Sequence, residues 1–190
     1  MLKTLVRYGA VSGLLSLTIL LAPKAHGQAL PTATGHSGGL QVGAGVTYAK
    51  PDFGQDWIGG ITGFADYNVL SHVGIEANVH FLTLHTPLDL GEETYEAGPR
   101  VYWRKNRFTA YGKGQIGVGR FVVQESNPYY NAGKVNSTSW MYSLGGGLDI
   151  DFHHHITVRA FDFEYQEWPS FANNGLTPAI GTVGIAYRFR

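Results

Sequence analysis

The sequence predicts an all-β chain, an eight-stranded antiparallel up-and-down β-barrel that crosses a membrane. Three observations carry this. From residue 39 onward, apolar and polar residues alternate with a period of two in eight segments bounded by turn residues, the signature of strands with two unlike faces. The connections alternate between short and long, as the two rims of a membrane barrel do. Charged residues make up 15% of the chain, and 26 of 190 residues are glycine; typical globular chains hold about 25% charge and roughly half as much glycine.

Before the barrel, "MLKTLVRYG" carries Lys3 and Arg7, "AVSGLLSLTILLA" is apolar, and "PKAHGQA" supplies small residues at alternate positions. That order is a secretory signal peptide over 1–27. Ala25-His26-Gly27 and Gly27-Gln28-Ala29 both fit the site, so the cut falls between 27 and 29. The apolar run is shorter than the roughly twenty residues a spanning helix needs. Residues 28–38 follow as a short periplasmic segment, and 39–190 form the barrel domain. With the leader go three basic residues, leaving 11 Lys and Arg against 14 Asp and Glu; nothing in that balance points to nucleic acid. The chain has no cysteine, hence neither a disulfide framework nor a lipid-modified cysteine.

The segments justify themselves in order. "GLQVGAGVTYAK" (39–50) sets Leu40, Val42, Ala44, Val46 and Tyr48 against Gln41, Gly43, Gly45 and Thr47. "WIGGITGFADYN" (57–68) is second. "HVGIEANVHFLTL" (72–84) opposes Val73, Ile75, Ala77, Val79 and Phe81 to Gly74, Glu76, Asn78 and His80. "ETYEAGPRVYWR" (93–104) opposes Tyr95, Ala97, Val101 and Trp103 to Glu96, Arg100 and Tyr102. "FTAYGKGQIGVGRFVV" (108–123) opposes Ile116 and Val118 to Lys113, Gln115, Gly117 and Gly119. "TSWMYSLGGGLDIDF" (138–152) opposes Trp140, Tyr142, Leu144, Leu148, Ile150 and Phe152 to Gly145, Gly147, Asp149 and Asp151. "ITVRAFDFEYQEW" (156–168) and "TPAIGTVGIAYRF" (177–189) complete the set. Short turns fall around 69–71, 105–106 and 153–155; the long loops are "PDFGQD", "HTPLDLGE", "QESNPYYNAGKVNS" and "PSFANNGL".

Alternation alone fits two barrels, one soluble with its apolar face inward and one membrane-bound with its polar face inward. The membrane form fits better. The polar face is rich in glycine and carries scattered charges of both signs, Glu76, Arg100, Lys113, Asp149 and Arg159. Eight strands leave an interior just filled by side chains, where such charges must pair. Aromatics gather at strand ends on the apolar face, as interface girdles do. Tyr67, Trp103, Phe108, Phe152, Tyr187 and Phe189 lie toward the short turns, and Tyr48, Phe81, Tyr95, Trp140 and Tyr142 toward the long loops. In the seventh segment no single parity turns Arg159, Asp162 and Glu164 all inward, which predicts a β-bulge between Ala160 and Asp162.

The chain ends in Thr182-x-Gly184-x-x-Tyr187-x-Phe189, followed by Arg190. This resembles the C-terminal β-signal of outer-membrane barrels, which finishes on the aromatic. Over its mature length the chain resembles the OmpA/OmpX-like eight-stranded outer-membrane barrel family. "GGLDID…ITVR" is similar to the stretch in which that family pairs an inward acid with an inward arginine, mapping Asp149 and Arg159 onto the pair. The resemblance implies an outer-membrane location with both termini periplasmic. It also implies contact with lipid and lipopolysaccharide, passage through the β-barrel assembly machinery and a monomer; the peptidoglycan-binding domain that follows the barrel in full-length OmpA is not expected here.

No cofactor is expected. His153-His154-His155 invites a metal, but adjacent side chains point alternately, and a polar turn accounts for them. Lipid A deacylases carry a His-x-Ser pair on a strand face, which this chain lacks; His85 is the lone candidate base on the apolar face. A porin needs about twice the strands, and Phe64, Tyr102, Tyr111 and Met141 all fall inside. Asn136-Ser137-Thr138 matches a glycosylation acceptor but reads as a loop end. Tyr129 and Tyr130 in "NPYYNAG" are the candidate contact for an extracellular ligand, since exposed loop aromatics often bind. The role expected is structural or adhesive, with no catalytic residues. The alternatives are a lipid-modifying enzyme of the outer leaflet and a soluble periplasmic binding barrel.

Overall fold

The structure, a computed structural model, describes residues 39–52, 57–85, 90–123, 137–170 and 175–189. Eight strands follow in chain order: β1 (Leu40–Lys50), β2 (Ile58–Asn68), β3 (Val73–His85), β4 (Leu90–Lys105), β5 (Phe108–Val123), β6 (Ser137–His153), β7 (Ile156–Glu167) and β8 (Ala179–Arg188). Each pairs antiparallel with the next, and β8 returns to β1, with Gln41 opposite Arg188 and Lys50 opposite Ala179. The ladder is therefore closed. Strand bounds lie within one or two residues of the sequence pattern except in β4. It starts at Leu90 rather than 93, because pairing with β5 runs on through Leu90 and Val123 despite the turn-like "GEE".

The faces divide as the alternation requires. Along β1, Gln41 and Thr47 are buried while Leu40, Val42, Val46 and Tyr48 are exposed. Along β3, Glu76, Asn78 and His80 are buried while Ile75 and Phe81 are exposed. Large apolar side chains cover the outside and polar ones fill the lumen. The exposed face ends in Tyr67, Trp103, Phe108, Phe152, Tyr187 and Phe189 at the short-turn rim, and in Tyr48, Phe81, Tyr95 and Trp140 toward the loop rim. Phe81 meets Tyr95 edge to face at 6.0 Å. Such rings suit the boundary between hydrocarbon and water.

Two irregularities position the interior. In β7, Leu148 pairs with Phe161 but Asp149 pairs with Arg159, leaving Ala160 unmatched; the β8 register shifts at the same place. The extra residue lets Arg159, Asp162 and Glu164 all point inward while Phe161, Phe163 and Tyr165 stay exposed. In β4, Pro99 offers no N–H, and pairing with β5 is interrupted there and resumes in the same register. Gly98 beside it sits where a Cβ would run into the Gly114 carbonyl oxygen, so the two strands approach closely. At the turn rim Asn106, with φ 56°, supplies the left-handed residue that the tight β4–β5 connection needs.

Charge on the lipid-facing side should cost more with depth. Ile185→Arg, near mid-strand and opposite Ala44, is expected to destabilise the barrel by about 2–4 kcal/mol, and Leu40→Arg at the turn rim by about 0–1 kcal/mol. Urea titration in phospholipid vesicles, followed by tryptophan fluorescence, measures both; equal costs would mean that these residues do not face lipid.

Candidate functional site

Because inward residues recur every second position on all eight strands, the lumen fills in layers stacked along the barrel axis. The central layer is an ion network. Arg159 lies 3.2 Å from Asp66, 3.2 Å from Glu76, 3.2 Å from Asp149 and 3.0 Å from Asp162. Arg100 reaches Asp66 at 2.9 Å and Asp149 at 2.5 Å. Lys113 reaches Glu76 and Asp162 at 2.9 Å each, and Glu164 at 3.1 Å. All of these side chains are buried. The guanidinium planes stack on rings, Arg159 over Phe64 at 3.7 Å and Arg100 over Tyr111 at 3.8 Å, and the Tyr111 hydroxyl donates to Asp162 at 2.6 Å. Such stacking suits arginine, whose flat cation is weakly hydrated.

Toward the loops comes a second polar layer. His80 on β3 places Nε2 3.0 Å from Glu96 Oε1 on β4 and 3.8 Å from Glu164 Oε1 on β7. Its Nδ1 lies 2.6 Å from the Thr62 hydroxyl, which continues through Thr47 to Thr182. Ser143 donates to Glu96 Oε2 at 2.7 Å, and Gln166 donates to Glu164 Oε1 at 2.8 Å. Thr62, His80 and Glu96 stand in the order hydroxyl, imidazole, carboxylate, but Thr62 is only 2% exposed, which leaves a substrate no approach.

The loop-side end carries apolar side chains. Phe121, Met141, Trp168 and Leu176 form one buried cluster, and Ala49, Ile58, Leu82 and Ile180 another. Trp168 is wholly buried, and its ring lies where a Cβ on Gly119 would be, so the glycine makes room for the indole. The short-turn end is more polar. Gln41, Asp66, Asn68, Arg100, Tyr102, Arg104, Thr109, Asp149 and Arg188 line a small polar recess there, with room for about one water, and Arg188 pairs with Asp151 at 2.6 Å.

The five lumen charges named from sequence, Glu76, Arg100, Lys113, Asp149 and Arg159, meet in one cluster. Asp149 and Arg159 are in contact, yet not as an isolated pair, since each has other partners at similar distances. Thr182 is buried and faces the lumen with Gly184, while Tyr187 and Phe189 face out. Tyr129 and Tyr130 lie outside the described residues. His153 and His154 sit at the turn rim with rings 5.2 Å apart, and His155 stacks on Tyr187 at 5.5 Å. His85 is exposed at the end of β3. Sequence reasoning did not single out Asp66 or Glu92, and it placed His80 and Glu96 on a face without giving them a role. The parity of Asp66, His80 and Glu96 put them inside, where polar groups beside inward charges were the available signal, whereas Glu92 fell in a segment that reads as loop.

A closed ladder with an apolar exterior, aromatic rims and a polar, side-chain-filled lumen defines an integral β-barrel of the bacterial outer membrane. The chain belongs to the outer membrane protein beta-barrel domain family, whose model matches residues 12–189. No curated protein matches the sequence. Among solved structures, the outer membrane protein OprG from Pseudomonas aeruginosa is 14% identical, covering 81% of this chain and 97% of its own, with TM-score 0.59. Neisserial surface protein A is 12% identical, covering 79% and 94%, with TM-score 0.58. Ail, the attachment invasion locus protein of Yersinia pestis, is 14% identical, covering 80% and 99%, with TM-score 0.51. At such identities the likeness is one of fold.

Arg159→Met leaves four carboxylates short of a cation and is expected to destabilise the folded barrel by about 3–5 kcal/mol. Asp149→Arg combined with Arg159→Asp should recover little of that, because the new acid would face Asp66, Glu76 and Asp162. Urea midpoints of the single and double variants test this, and full recovery in the double variant would reduce the cluster to one pair.

Proposed function

We propose that this protein is a small outer-membrane barrel that works at its loop rim, as a structural element and a surface contact for an extracellular ligand, and not through its lumen. The observation that carries the reading is the ion network that spans the lumen from β2 to β7, with apolar clusters beyond it; a solute has no continuous aqueous path in such a filled interior. The fold is shared with a protein named for attachment and invasion and with one named for the cell surface, which favours a surface role over an enzymatic one. By the usual arrangement, short turns and both termini face the periplasm and the long loops face outward. The protein is then a monomer bordered by lipid and lipopolysaccharide and delivered by the barrel assembly machinery.

Loop chemistry narrows the ligand. Residues 51–57, 86–89, 124–136 and 169–178 carry Asp52, Asp56, Asp89 and Glu125 against Lys134 alone. Such loops repel polyanions. Their aromatic, Asn and Gly content suits a neutral glycan or a protein surface, with Tyr129 and Tyr130 as the anchors.

Replacing 124–136 by a Gly-Ser loop of equal length should abolish adhesion of expressing cells to immobilised matrix protein or neutral glycan, while the heat-modifiable outer-membrane band persists. If cells expressing the unaltered protein adhere no better than cells lacking it, the reading is overturned. In planar bilayers the purified barrel should show no steady conductance, and a sustained open level would return the function to the lumen.

A further inference from the structure

We propose that His80, Glu96 and Glu164 hold a divalent transition-metal ion, zinc-like in its ligand preference, in the loop-side half of the lumen. One ligand atom from each of the three lies within 4.8 Å of the others. The two separations from His80 Nε2, 3.0 and 3.8 Å, bracket the about 3.3 Å that separates neighbouring donors around a tetrahedral ion with bonds of about 2.0–2.1 Å. Two carboxylates and a neutral imidazole cancel the ion's charge. Mixed nitrogen and oxygen donors suit zinc or its first-row neighbours better than calcium or magnesium.

The groups behind the donors are arranged as a metal site needs. His80 Nδ1 is engaged by Thr62 at 2.6 Å; donating its proton there leaves Nε2 as the free lone pair. Glu96 has Oε2 held by Ser143 and Glu164 has Oε2 held by Lys113, so in both the Oε1 atom is turned toward the imidazole. Gln166 donates to these same two Oε1 atoms, at 3.4 and 2.8 Å, and each oxygen keeps a second lone pair for an ion.

A separate observation asks for a cation in this half of the barrel. Among the described residues seven carboxylates are buried, Asp66, Glu76, Glu92, Glu96, Asp149, Asp162 and Glu164, against three buried permanent cations, Arg100, Lys113 and Arg159. All three serve the central layer, and only Lys113 also reaches an acid on the loop side, Glu164 at 3.1 Å, so Glu92 and Glu96 have no permanent cation beside them among the described residues. There Glu92 is fully buried with both oxygens lacking a hydrogen-bond partner among the described residues, and the Thr94 hydroxyl beside it lacks one too. An unpaired buried carboxylate is costly. Glu92, Thr94 and Glu96 follow one another down the inward face of β4 from the loop rim, a row of oxygen ligands leading to His80.

The experiment uses the full-length folded protein in detergent. Equilibrium dialysis against zinc sulfate followed by metal analysis should leave about one equivalent per chain, and chelator should lower the temperature at which the heat-modifiable band is lost. Cobalt substitution should give the intense visible bands of a tetrahedral nitrogen and oxygen site. Ser143→Ala, which removes a donor behind Glu96, should weaken binding about 10–100-fold. H80Q and E96Q should abolish it, while H153Q/H154Q/H155Q combined should keep it. Binding that survives H80Q and E96Q, or that vanishes in the triple turn variant, overturns the proposal. Should H80Q and E96Q both fail to fold, the wild-type cobalt spectrum decides, and an octahedral or absent signal counts against the site.

Discussion

In hydrocarbon a peptide N–H or C=O has no water to turn to, and each one left unpaired costs several kcal/mol. The joining of β8 to β1 is therefore the bond on which everything else in this molecule rests. It satisfies every strand's ladder, removes both edges, and encloses a space too narrow for bulk water. Once the ladder is closed, the pleat leaves each side chain only two destinations, and lipid rejects charge. The interior must then accept all the polarity that the chain carries along its strands.

That interior is an electrostatic problem with a layered solution. Arginine dominates the centre because one planar cation can serve several carboxylates and still lie flat on an aromatic ring, as Arg159 does on Phe64. The hydroxyl and amide layer above it spreads polarity over neutral groups, Thr62, Ser143 and Gln166 among them. The large indole of Trp168 then shields this layer, settled against a glycine with no side chain of its own. A molecule organised this way is rigid inside, and what varies freely is what the rims display.

Much of the fold was legible because few architectures other than a closed sheet accommodate a period of two repeated eight times. Even the bulge announced itself, since Arg159 and Asp162 could not share a face otherwise. The network was legible only as a set of inward charges. Which acid meets which cation depends on stagger between strands far apart in sequence, such as Asp66 with Arg159, and alternation within one strand carries no information on stagger. That is why Asp149 and Arg159 read as a pair and stand as two members of a larger cluster. His80 drew no role because one imidazole among polar neighbours looks ordinary until Glu96 and Glu164 arrive from other strands. Trp168 shares the inward parity of Asp162, Glu164 and Gln166, but an aromatic at a strand end suits the lipid interface too, and the room for its ring comes from Gly119 on another strand.

The charges buried in the finished barrel also have a history before burial. Asp66, Glu76, Arg100, Lys113, Asp149, Arg159 and Asp162 come from six strands, so their network forms only when nearly the whole chain has come together. Until then the same groups are hydrated and dispersed along a polypeptide that would otherwise present one apolar residue in two to its neighbours. They break up each sticky segment with hydrated charges of both signs. The side chains that keep unfolded strands apart in water are thus the same ones that hold the closed barrel together.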